Sequence, residues 1–206
     1  MMDRNIEVEI RGPLSKDDYK RIKSFFDKNA SFVESKNRVL IDYSTLNEEG
    51  SIDNRTKDVR LRATNGIPEI IIKLGNWGEG EARREISLKT AKGTFDDLVE
   101  VFGHLGWKRG MLCIRNSFVY TYKEVEFALV EVPGHSYYFE AEKMIGQESE
   151  KGKALEEIGR VCSQLNLKQF NKEEFFEYID LLNGSVNEVF DFEVAPKGYF
   201  KQRFSI

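Results

Sequence analysis

Glutamate stands at alternate positions twice in this sequence, as Glu7 and Glu9 near the start and as Glu140 and Glu142 much further along. Arginine does the same at Arg60 and Arg62. On a β-strand, side chains at i and i+2 share a face, so each pair would set like charges side by side. Adjacent like charges on a sheet repel by a few tenths to about 1 kcal/mol, and an ordinary solvent face avoids them. A doubled carboxylate is satisfied by a hard divalent cation such as Mg2+ or Mn2+, which prefers oxygen ligands and bridges to phosphates. A doubled arginine is satisfied by a polyanion, because the guanidinium fork binds phosphate oxygens two at a time. Both together describe a site for a metal and a triphosphate.

The same division of faces recurs. Glu7, Glu9 and Arg11 oppose Ile6, Val8 and Ile10, while Arg60 and Arg62 oppose Val59 and Leu61, with Asp58 on the arginine side. Lys73 lies opposite Ile70 and Ile72, Arg83 and Glu85 oppose Ile86 and Leu88, and Phe139 and Ala141 back the late glutamates. A half-exposed antiparallel sheet with one solvated face would also alternate in this way. Five strands divided in this way, three of them with like charges in consecutive face positions, point instead to a barrel whose interior is charged. In a low-dielectric channel of that kind, stabilising a transferring phosphoryl group counts most.

The elements that would position these residues follow from periodicity. Residues 6–11 alternate strictly and read as a strand, which Gly12-Pro13 should end. Ser15 reads as a helix N-cap ahead of Tyr19, Ile22, Phe25 and Phe26. Strands are expected at 38–43, 59–63, 69–74, 82–89, 113–122, 126–132 and 137–143, with a hairpin at Asn65-Gly66. A polar loop at 47–50 and a glycine-rich connection at 75–80, which lacks a Walker lysine, separate some of them. A helix opens at Gly93-Thr94, and two more are expected over 153–165 and 173–182. The expected architecture is α+β, an eight-stranded antiparallel β-barrel with flanking helices. One domain would span 1–183, and the mixed tail 184–206 reads as a loosely docked surface helix or disorder, with packing on the barrel end, where Lys197, Lys201 and Arg203 could close over the tunnel, as the alternative.

The chain has 206 residues, 40% hydrophobic and 32% charged, with a formal net charge of −4. That is enough chain for a substantial core, and its charge gives no overall attraction to nucleic acid or to anionic membranes. Cys113 and Cys162 match no metal spacing and read as free thiols. Met1 to Asn5 precede no apolar run, and no stretch reaches membrane-spanning length, so a cytoplasmic protein is expected. His104 and His135 have no nucleophile partner in the sequence and read as surface or turn residues. A homodimer is compatible with a barrel of this size.

In order and spacing these residues resemble the CYTH family, named for CyaB-type adenylyl cyclases and thiamine triphosphatases and also called triphosphate tunnel metalloenzymes. Its ExExK signature stands here as Glu7-Val8-Glu9-Ile10-Arg11, its basic pair as Arg60-Leu61-Arg62, and its following lysine as Lys73. Its RxE element resembles Arg83-Arg84-Glu85, its later arginine Arg115, and its terminal ExE Glu140-Ala141-Glu142. The resemblance implies a tunnel barrel that depends on Mg2+ or Mn2+ and acts on triphosphates. It also implies Glu7, Glu9, Glu140, Glu142 and Glu131 as metal ligands, with Arg60, Arg62, Lys73, Arg83 and Arg115 as phosphate grips. Arg11 and Glu85 would assist catalysis. Arginine at position 11 departs from the family lysine and stays protonated, and Cys113 stands where many members have lysine. Glu131 replaces an aspartate and shares strand parity with Phe127 and Leu129. The implied activity is triphosphate hydrolysis. The alternatives are a class IV adenylyl cyclase making cyclic AMP, and a non-catalytic module that binds triphosphate or polyphosphate.

Overall fold

Alternating segments of this sequence do form strands, and the strands close on themselves. The computed structural model describes residues 6–47, 55–75 and 81–206. In chain order these hold β1 (Ile6–Leu14), α1 (Lys16–Asn29), β2 (Ser31–Asp42), α2 (Ser44–Asn47), β3 (Lys57–Thr64), β4 (Ile67–Leu74) and β5 (Glu81–Lys89). There follow α3 (Phe95–His104), β6 (Arg109–Tyr122), β7 (Val125–Val132), β8 (Ser136–Ile145), α4 (Lys151–Gln164), α5 (Lys172–Ser185), β9 (Glu188–Asp191) and α6 (Tyr199–Phe204). Antiparallel pairing runs β2-β3-β4-β5-β1-β8-β7-β6, and β6 pairs back onto β2, so that eight strands form a ring. Closure leaves few unpaired strand edges. β9 extends the sheet along the first residues of β6.

Local chemistry accounts for several joints. Ser15 caps α1, its Oγ accepting from the Asp18 backbone N–H at 3.0 Å, with Asp17 and Asp18 in the first turn. Asn65 and Gly66 both take positive φ, 51° and 79°, as a tight two-residue hairpin requires. Gly12 does not end β1, which continues to Leu14. It permits a close approach instead: a Cβ there would lie 1.9 Å from the Lys168 carbonyl oxygen. The segment entering α5 therefore crosses directly over β1, where the Phe170 N–H donates to the Arg11 carbonyl at 2.9 Å.

The outward faces of the barrel bury two apolar cores. One joins Val8, Phe127 and Phe139 to Ile22 and Phe26 of α1 and Ile158 of α4, all fully buried. The other joins Ile41 and Leu61 to Phe95 of α3 and Phe200 of α6. Each such side chain contributes about 1.5–3 kcal/mol. Stability is thus supplied outside the ring, and the inward face is free to carry charge.

Two expectations give way here. The tail is neither loose nor disordered, because α5 runs on to Ser185 and both Phe190 of β9 and Phe200 of α6 are buried in the second core. Asp96 accepts from the first backbone N–H groups of α6, at 3.1 Å from Phe200 and 2.9 Å from Lys201. β2 begins at Ser31 rather than near residue 38, because its first residues are largely exposed and carry no apolar alternation. Most of the polar loop at 47–50 and of the connection at 75–80 lies outside the described residues.

Candidate functional site

Strand register brings the two glutamate pairs together. Across β1 and β8, Glu9 sits beside Glu142 and Arg11 beside Glu140. Across β1 and β5, Glu7 sits beside Arg83. One carboxylate oxygen from each of Glu7, Glu9 and Glu142 lies within 4.8 Å of the other two. Burial alone raises a carboxylate pKa, and here the neighbours decide the outcome. Burial pushes Glu7 up, but the Lys73 ammonium, 2.7 Å from its Oε2, together with a hydrogen bond to Glu142 and the Arg11 charge, brings it down to about 2. Burial pushes Glu9 up to about 8, with Glu140 and Glu7 adding to the shift and Arg11 opposing it. Glu142 is also raised well above the ordinary range, by burial and then by Glu7 and Glu9. Three buried carboxylates beside Lys73 and Arg11 leave the cluster with more negative than positive charge. An all-oxygen donor set of this kind fits Mg2+ or Mn2+.

The remaining predicted carboxylates lie at different distances from this cluster. Glu140 faces the tunnel one step along β8 and sits 3.6 Å from the Arg11 Nε. Arg11 also donates to Glu9, which ties the two positions together. Glu85 lies 3.3 Å from Lys73 and 3.7 Å from Arg62, bridging two cations. Glu131 is not brought to the cluster. It pairs with Asn116 and Tyr137 on the face that carries Phe127 and Leu129, opposite the tunnel, because its odd number on β7 fixes its side.

The cations divide into two sets. Arg83 and Arg60 are held by Asp58 at 2.6 and 2.8 Å, and Arg55 joins the same carboxylate at 2.9 Å. Burial pushes Asp58 up, yet Arg60, Arg55 and Arg83 together hold it well below the usual carboxylate range. Arg60 also belongs to the second set, which lines a cavity where Arg11, Arg38, Arg60, Arg62 and Arg115 converge, with Asp42 and Glu140 as the acidic lining among the described residues. Arg62 is held by Glu69 at 2.7 Å. Arg38 and Arg115 face each other across β2 and β6. The Arg38 Nε is buried with no hydrogen-bond partner among the described residues. Arg115 donates to two neutral oxygens, the Ile114 carbonyl at 2.7 Å and the Asn187 Oδ1 at 3.0 Å. Two facing guanidinium groups without a carboxylate between them are arranged for an anion.

Sequence reasoning did not single out Arg38, Asp42, Arg55 or Glu69. Arg38 shares its face with Leu40 and Asp42, so no doubled charge marks it. Glu69 shares parity with Lys73, a signal that was available. Lys197 and Lys201 are exposed, and Arg203 pairs with Glu188. Cys113 and Cys162 are free and buried, and among the described residues no helix is long and apolar enough to cross a membrane.

No family model and no curated protein matches this chain. Solved structures do. The PH1819 protein of Pyrococcus horikoshii OT3 aligns with a TM-score of 0.69 at 20% identity, over 84% of this chain and 97% of that one. A Vibrio parahaemolyticus protein provisionally classed as an adenylate cyclase aligns at 0.59 and 16% identity, over 82% and 97%. HpAC1 of Hippeastrum, an adenylyl cyclase by provisional assignment in which a dominant triphosphatase activity is described, aligns at 0.50 and 12%, over 80% and 89%. The barrel is therefore a fold shared with these proteins.

Proposed function

We propose that this chain is a CYTH-type tunnel enzyme that hydrolyses the terminal phosphate of a triphosphate with the help of Mg2+ or Mn2+. The observation that carries the reading is the cluster of Glu7, Glu9 and Glu142 within 4.8 Å, set beside a cavity lined by five arginines. Neither half is self-satisfied. The three carboxylates outnumber the two cations paired with them, Lys73 and Arg11, while Arg38 and Arg115 face each other across β2 and β6, and a metal–triphosphate complex answers both. The barrel it shares with cyclase-classed and triphosphatase structures supports the same reading.

Each residue has a role that its position allows. Glu7, Glu9 and Glu142 would hold the divalent ion, with Glu140 next in line on β8. When bound, that ion neutralises phosphate charge and polarises the bond to be cleaved. Arg38, Arg115, Arg60 and Arg62 would hold the phosphate chain in line for attack by water, where positioning and charge stabilisation supply most of the acceleration. Arg11 remains protonated throughout and acts as a fixed charge between the glutamates and the cavity. Glu85 holds Lys73 and Arg62 in place, and Lys73 in turn sets the ionisation of Glu7. Arg83 stays with Asp58 and shapes the wall.

The test is turnover. Protein given tripolyphosphate, ATP and thiamine triphosphate with Mg2+ or Mn2+ should release orthophosphate. Pyrophosphate appearing with cyclic AMP would replace hydrolysis by cyclisation. Tight binding without turnover of any of them would leave a binding module.

A further inference from the structure

Past Arg11 the cavity changes character. Tyr138 follows Glu140 and Glu142 on the inward face of β8, and across from it α5 and the residue that precedes its cap contribute Phe170, Phe175 and Tyr178 to the lining. The Phe170 and Tyr178 rings stack at 5.2 Å with 27° between their planes, and Tyr138 meets Tyr178 edge-on at 5.9 Å. The Phe175 ring lies 5.0 Å from the Arg11 guanidinium carbon. Phe175 is buried and packs with Phe176 as part of a small core, but Tyr138, Tyr178 and Phe170 are only half-buried along the cavity wall.

These rings are held in place. The Tyr178 hydroxyl and Ser136 Oγ are 2.8 Å apart, Ser136 Oγ lies 2.8 Å from His135 Nδ1, and His135 Nε2 lies 3.1 Å from Ser185 Oγ at the end of α5. This chain of contacts fixes α5 and the Tyr178 ring to the β7–β8 turn. Beside them two amides continue the wall. Asn187 accepts from Arg115 at 3.0 Å and donates to Asn183 Oδ1 at 2.8 Å. That use of both oxygens leaves the Asn183 amide nitrogen as the donor for whatever occupies the cavity.

A bare phosphate chain gains nothing from such a wall, since an anion set against aromatic rings loses hydration without return. A flat ring stacks on them, and a ring with polar edge atoms also accepts from an amide. We infer that Tyr138, Phe170, Tyr178 and Asn183 form a head-group site for a triphosphate carrying a flat heteroaromatic group, with Arg115 where head and phosphates meet. This rests on the triphosphate reading above and selects an organic substrate over inorganic tripolyphosphate.

The experiment compares kcat/KM for ATP, CTP, thiamine triphosphate and tripolyphosphate, with Mg2+, in the parent protein and in Tyr178→Ala, Tyr178→Phe and Asn183→Ala. At least one organic triphosphate should be preferred by the parent. Its kcat/KM relative to tripolyphosphate should fall about tenfold or more in Tyr178→Ala, mainly through KM. Asn183→Ala should lower the ratio less, and Tyr178→Phe, which keeps the ring, should restore most of it. Thermal melting confirms that each variant is folded; if Tyr178→Ala is not, Asn183→Ala decides. An unchanged ratio in folded Tyr178→Ala, or in Asn183→Ala where that variant decides, or a parent that consumes tripolyphosphate alone, overturns the head-group site and leaves the tunnel reading standing. Failure to bind or consume any triphosphate overturns both.

Discussion

Two acidic centres on the inner face of one barrel have opposite electrostatics. Asp58 sits among Arg55, Arg60 and Arg83, with every ion pair at 2.9 Å or less, and stays ionised well below its ordinary range. Glu7, Glu9 and Glu142 share Lys73 and Arg11, and two of the three are pushed toward the protonated form. In the first centre every carboxylate charge is answered by an arginine, and the pairing stiffens the wall. In the second the carboxylates outnumber their cations and are completed by a cation from outside. Buried charge therefore does not by itself mark a metal site; carboxylates in excess of their cations do.

The strongest way to break this contrast is to remove the second centre. Glu7→Gln combined with Glu9→Gln should lower metal-dependent phosphate release by about a thousandfold or more, a scale expected when transition-state charge stabilisation is lost. Unfolding curves should show a folded protein; undiminished activity in a phosphate assay would remove the metal assignment. At the first centre the effect should fall on stability. Asp58→Asn strands arginines that have lost their counter-charge, and denaturant unfolding should report a loss of about 3–5 kcal/mol. If Asp58→Asn instead spares stability and abolishes turnover, the two centres have been assigned the wrong way round.

Smaller effects sharpen the comparison. Arg38→Gln should raise KM about tenfold with kcat less affected, as loss of one charge-assisted phosphate contact implies. The pH dependence should separate the glutamates of the second centre. With Glu9 raised to about 8, the metal-free folded state binds a proton that the unfolded state has released, so its contribution to stability falls as pH rises from about 4.5 toward 8. Glu7, lowered to about 2, works the other way: its contribution is present above about 4.5 and is lost as pH falls toward 2. Melting curves across pH, with and without Mg2+, should show the metal stabilising most near and above pH 8, where it replaces the Glu9 proton. A metal effect independent of pH would contradict the shared site.

Much of this was legible because period-2 patterning states a face unambiguously. Glu7, Glu9 and Arg11 could be placed together from the sequence, as could Arg60 with Arg62 and Glu140 with Glu142. The resemblance to a tunnel family added Arg115, which carries no pattern of its own. Parity also weighed against Glu131, and the register bears parity out. Arg38 stayed hidden because a single charge between neutral neighbours has no signature until β2 is laid against β6. The second core was partly hidden for a similar reason. The six-residue α6 is too short to show a helical period, although Phe200 is wholly buried in it. Gly12-Pro13 misled because a glycine that ends a strand and a glycine that admits a crossing chain look alike in one dimension.

The β1–β8 register has a consequence for the order in which this molecule can be made. Glu9 and Glu142 touch only when the first strand of the ring meets one of the last, and the ring itself closes only when β2 finds β6. Contacts so distant along the chain carry a loop-closure cost before they return any stability, and they make folding slow. The outer cores and hairpins can form without the metal, but the metal site cannot exist until the ring is nearly complete. Mg2+ or Mn2+ would then act late, holding the finished barrel shut rather than guiding the chain toward it.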